Sequence, residues 1–179
     1  RKDMATSANQ TYRNMTIRQI MTILYDIQFN HKNIHSFYTR SLEEVDIVKM
    51  DLNLFPLMHA TPVGAIVDEQ TITYSVDVLI ADQVNEDIEV AELSQTRRPL
   101  IDAYSQTLLT LKDVIANFRQ NIQTGSYVDA RIDIQMPLSC TPFTARFSNS
   151  LTGWGTTFNI TCQNTNNLCD VPQTMNDGV

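Results

Sequence analysis

The chain has 179 residues, 42% of them hydrophobic and 18% charged, with a formal net charge of −7. That length suits one domain, the apolar share sustains a core, and the charged share is too low for a disordered segment. The acidic balance argues against a surface that grips DNA or an anionic membrane, though nucleic acid can pass such a surface without sticking.

Residues 1–15 are polar and without periodicity, which predicts a flexible N-terminal arm. The opening Arg1-Lys2-Asp3-Met4 suggests either a removed upstream piece or a start at Met4. Thr16-Ile17-Arg18-Gln19 has the form of a capping box, a hydroxyl at the cap and an amide three residues on. Ile17, Ile20, Leu24, Ile27, His31, Ile34 and Tyr38 then follow at steps of three and four. The spacing predicts a helix over about 16–33 with a tail towards Tyr38, its apolar stripe broad enough to pack on a sheet.

Residues 52–67 are apolar but interrupted by Pro56, Pro62 and Gly64, which predicts an edge strand or an irregular strand pair. In the next run Ile72, Tyr74, Val76, Val78 and Ile80 alternate with polar residues, the pattern of a half-buried antiparallel strand with one wet face. A connecting loop rich in Asp82, Glu86, Asp87, Glu89 and Glu92 comes next, then Arg97 and Arg98. A long helix is predicted from about Pro99 to a stop at Gly125, with Leu100, Tyr104, Leu108, Leu111, Ile115, Phe118 and Ile122 as its stripe. Alternation then predicts strands over Ile132–Leu138, Phe143–Phe147 and Phe158–Cys162, with a turn in the link SNSLTGWG. The whole reads as an α+β domain over 16–172, a mostly antiparallel sheet with two long amphipathic helices on one face. Its other face is polar, and residues 173–179 form a loose tail.

Catalytic patterns are not found. The five glycines form no phosphate loop, and no G-x-S-x-G elbow occurs. His31 and His35, four apart on a helical pattern, would make half a metal site, and His59 lies in the proline-broken strand. Surface or partly buried histidines are the simpler expectation, so no metal and no cofactor is assigned. Cys140, Cys162 and Cys169 make an odd set without a C-x-x-C pair or a secretory segment, which predicts free thiols in a reducing compartment. No apolar run approaches the roughly 18 residues that span a bilayer. The acidic run reads either as a solvated loop or as a negative surface that repels phosphates or meets a basic neighbour, with Arg97 and Arg98 as counterparts on the next subunit. Trp154 either caps the core or anchors an interface.

The succession FPLMHATP, ITYSVDVLIAD, SQTRRPLIDAYSQTLLTLKDVIANF, PFTARFSNSLTGWGTTFNI and NNLCDVP resembles the head–tail connector and tail-terminator proteins of tailed bacteriophages. The resemblance spans about residues 14–172, and its most telling stretch runs from Pro142 to Pro172. It implies a non-enzymatic virion protein of the tail or neck, made in the host cytoplasm. Such a subunit forms a sixfold or twelvefold ring that meets portal, connector or tail proteins and lets the genome pass. Candidate interface or lumen residues are then Asp82, Glu86, Asp87, Glu89, Glu92, Arg97, Arg98 and Trp154. Another tail or baseplate protein would look much the same in sequence; a binding module acting through the acidic loop, or a small enzyme using His31, His35 or Cys162, are the readings from other classes.

Overall fold

The computed structural model describes residues 15–40, 54–83, 99–124, 131–144 and 151–164. In chain order the elements are α1 (Ile17–Asn30), β1 (Ser36–Tyr38), β2 (Leu57–Val67), β3 (Thr71–Gln83), α2 (Pro99–Thr124), β4 (Asp133–Ile134), β5 (Thr141–Thr144) and β6 (Leu151–Gln163). The fold is α+β, with a six-stranded sheet in the order β1-β2-β3-β6-β4 and β5 also paired to β6. Among the described strands only the β1–β2 pairing is parallel.

The predicted capping box starts α1. The Gln19 amide N–H donates to Thr16 Oγ1 at 3.4 Å, and the Thr16 N–H donates to Gln19 Oε1 at 2.7 Å. Each satisfies a donor that a helix start leaves without an intrahelical partner. The helix stops at Asn30, because His31 adopts an extended backbone (φ −89°, ψ 124°). The buried Gln28 side chain then donates to the Ile34 carbonyl at 3.2 Å and holds the turn. The predicted helical tail towards Tyr38 is therefore replaced by β1, paired in register Ser36↔Leu57 to Tyr38↔His59.

Residues 57–67 form one strand, not a pair. Its first four residues are buried between β1 and β3, while everything beyond Thr61 is exposed. β1 reaches only to His59, so Pro62 stands where β2 has one partner, and the register shift falls between Pro62 and Gly64. A residue without an N–H is tolerated there. β3 follows the alternation expected of it: Val76, Val78 and Ile80 have no exposure and Asp77 is exposed. It runs on to Gln83, which places Asp82 in the strand rather than in the connecting loop.

The main core joins Ile20, Ile23, Leu24 and Ile27 of α1, Leu111, Val114, Phe118 and Ile122 of α2, and Val76, Val78, Ile80, Phe158 and Ile160 of the sheet. Phe118 and Phe158 meet edge to face at 5.2 Å. The buried residues of α2 are Ala103, Thr107, Thr110, Leu111, Val114, Phe118 and Ile122; Leu100, expected in the stripe, is exposed. Met15, assigned to the arm by sequence, is buried in this core, and the Tyr74 hydroxyl donates to its carbonyl at 3.1 Å. Residues 1–14 and 165–179 lie outside the described residues.

The last strands differ most from expectation. Residues 151–155, predicted as part of a turn, begin the 13-residue β6. Gly153 serves close strand approach: a Cβ there would overlap the Ile80 carbonyl oxygen. The predicted 132–138 strand is paired only at Asp133 and Ile134. The second sheet face is not uniformly polar either. Phe55, Leu57, Ala81 and Leu151 form a small buried cluster there, with Tyr38, Leu79 and Phe143 against it. Among the described residues no helix is long and apolar enough to cross a membrane.

Candidate functional site

The register of β6 creates a concavity beside the strand. Ile134 pairs with Ile160 and Thr141 with Gly155. Six residues, 135–140, thus span what four residues, 156–159, span on β6. The surplus chain leaves the ladder and stands up as a wall. Two bonds fix its ends: the Gln135 N–H donates to the Asn159 carbonyl at 3.0 Å, and Thr156 Oγ1 donates to the Ser139 carbonyl at 2.9 Å. The result is an open groove of about 590 Å³, a size typical of ligand-binding clefts.

The lining is mixed. Across β3 and β6 on this face, Thr73 pairs with Thr161 at 2.9 Å, Ser75 donates to Asn159 at 2.9 Å, and Thr157 donates to the Asp77 carboxylate at 2.5 Å; of these, Asn159, Thr157 and Asp77 line the groove. Leu79, Pro137, Pro142 and Phe143 supply apolar surface beside them. Gly155 lies on its floor without a side chain, and Asp77 is the one charged residue among those lining it. A carboxylate bonded once keeps further acceptor positions for a cationic or donor group.

Of the residues singled out from sequence, Asp82 and Trp154 are described; Glu86, Asp87, Glu89, Glu92, Arg97 and Arg98 lie outside the described residues. The Asp82 carboxyl is pushed above its ordinary pKa by burial, opposed by the Gln83 N–H (2.8 Å) and by nearby His35. Trp154 Nε1 donates to the Tyr104 carbonyl at 3.0 Å, and its ring meets the Tyr104 ring edge-on at 6.0 Å, tying β6 to α2.

The histidines do not converge. His31 caps α1 and faces Asp113 of α2 at 3.6 Å, whereas His35 follows the helix end and donates its backbone N–H to the Pro56 carbonyl. The helical stacking expected of them therefore does not form. His59 is buried, with Nε2 at 2.6 Å from the Arg40 carbonyl and Nδ1 without a partner among the described residues. Burial holds its pKa below 6.5, against the opposing pull of the Arg40 carbonyl and Asp77. No group of three His, Cys, Asp or Glu among the described residues could hold a metal ion. Cys162 is buried, and desolvation raises its thiol pKa, the opposite of what a thiolate nucleophile requires. Cys140 is a free, half-buried thiol, and Cys169 lies outside the described residues.

Sequence reasoning missed the groove. Its one legible trace was Pro137 within an otherwise alternating run, since proline cannot donate to a ladder. No protein-family model matches the chain, and no curated protein matches it.

Proposed function

We propose that this chain is a structural virion subunit of a tailed phage, closing with copies of itself into a ring at the head–tail junction or tail end. Genomic DNA passes through the ring without tight binding, and portal, connector or tail proteins stack on it. The reading rests on the resemblance of residues 14–172 to connector and tail-terminator proteins, together with one structural observation that carries it. That observation is the unequal use of the sheet: buried residues of α1 and α2 share one core with one face, and the other face keeps an open, mixed polar and apolar groove. Such a surface suits protein docking, where an apolar centre and a polar rim recur. Ring closure needs a heterologous contact, in which one patch meets a different patch on the next copy. The net charge of −7 disfavours retention of phosphates. Negative-stain electron microscopy of the purified full chain tests this reading: closed rings of constant subunit number support it, and monomers at high concentration contradict it.

A further inference from the structure

We propose that the groove between β3, β6 and the 135–143 wall receives the basic N-terminal segment, residues 1–14, of a second copy of this chain. This inference rests on the ring reading and names one of its contacts. The groove carries one charge, the Asp77 carboxylate, with no basic residue in its lining to neutralise it. Its natural occupant is therefore a segment with a cationic side chain beside small or apolar ones. Charge selects among the chain's own candidates. Residues 41–53, 84–98 and 165–179 are each net acidic, whereas residues 1–14 hold Arg1, Lys2 and Arg13 against a single Asp3. The six-residue stretch 145–150 has Arg146, but it continues directly from β5, which forms one rim.

The ring reading selects a neighbour. Met15 is buried in the main core, with its carbonyl bound by Tyr74, whereas the groove lies on the opposite face of the sheet. Fourteen residues span at most about 50 Å when fully extended, long enough to leave that core and reach another copy. Docking in the next copy's groove makes the contact heterologous, as a ring requires.

Zero-length carbodiimide coupling of the full chain, mixed from unlabelled and ¹⁵N-labelled copies, tests this directly. The reagent joins a lysine amine to a carboxylate, so the expected product is an amide between Lys2 of one copy and Asp77 of another, seen as a mixed-isotope cross-linked peptide by mass spectrometry. D77N should abolish that product. Gly155→Val, which fills the floor, should weaken self-association at least about tenfold in concentration-dependent light scattering, with the fold checked by circular dichroism. A Lys2–Asp77 link found only within one isotope, or Asp77 linked instead to Lys32, Lys49 or Lys112, overturns the inference. Rings that persist in D77N and Gly155→Val without any Lys2 link overturn it while leaving the ring reading intact. Monomers with no mixed link overturn both, and a mixed link without rings upholds this contact alone.

Discussion

The two glycines that flank Trp154 should respond to alanine in opposite ways. Both lie on β6 against β3, at Gly153↔Ala81 and Gly155↔Leu79. At Gly153 the added methyl would overlap the Ile80 carbonyl oxygen, with the Ile80 carbonyl carbon at 3.0 Å and Ala81 Cα at 3.1 Å. All three obstacles are backbone of a paired central strand, so no side-chain rotation relieves them and the β3–β6 ladder must part. Overpacking of this kind costs about 1–3 kcal/mol and sometimes more, and rigid backbone places Gly153→Ala at or above the upper end. For a domain of this length that lowers the melting temperature by roughly 6–12 °C. At Gly155 the new methyl meets Leu79 Cβ at 3.4 Å and the Val78 carbonyl oxygen at 3.8 Å, both ordinary contacts. No glycine among the described residues has a positive φ, so alanine is unstrained there. Reduced freedom of the unfolded chain then offsets any crowding, and Gly155→Ala should stay within about 1 kcal/mol of the parent. Differential scanning calorimetry of the two variants decides the matter. Equal melting temperatures, or a larger loss at Gly155, would refute the close approach of β6 to β3.

Two further predictions concern the core and the buried histidine. Phe118→Ala removes a fully buried ring that packs edge-on against Phe158, and should cost about 3–5 kcal/mol in urea unfolding with little change in slope; a loss under about 1 kcal/mol would mean that α2 does not pack there. The folded pKa of His59 lies below 6.5, so below that pH the unfolded chain binds a proton that the folded chain does not. Its contribution is complete above pH 6.5 and is lost as pH falls through the lowered folded value, by at most about 1.4 kcal/mol per pH unit. His59→Gln should flatten the stability profile below pH 6.5 relative to the parent, and an unchanged slope would count against burial of the neutral ring.

Local chemistry explains what the sequence made legible. Thr16 and Gln19 announce the α1 start because a capping box is settled within four residues. Val76, Val78 and Ile80 announce β3 because its neighbours on both sides respect the pleat. The errors lie where spacing admits two answers. Ile34 and Tyr38 continue a helical step, yet the extended His31 backbone and the pairing with Leu57–His59 make Ser36–Tyr38 a strand. Gly153 and Gly155 carry turn chemistry in sequence, yet both lie in β6, and only the proximity of Ile80 shows that Gly153 serves a close strand pair. On α2, Leu100 fits the expected stripe but is exposed, and the row that meets the sheet takes in Ala103, Thr107 and Val114 beside the expected Leu111, Ile115, Phe118 and Ile122. The groove was beyond reach for a related reason. It arises from six residues set against four along β6, a mismatch that exists only once both β4 and β5 have found the same partner.

The central claim, that this subunit works by closing into a ring, is tested most directly by negative-stain electron microscopy of the purified chain with two-dimensional class averaging. Closed rings with a single rotational order and an open centre wide enough for a DNA duplex are the expected result. A homogeneous population of monomers, or aggregates without rotational symmetry, would contradict it.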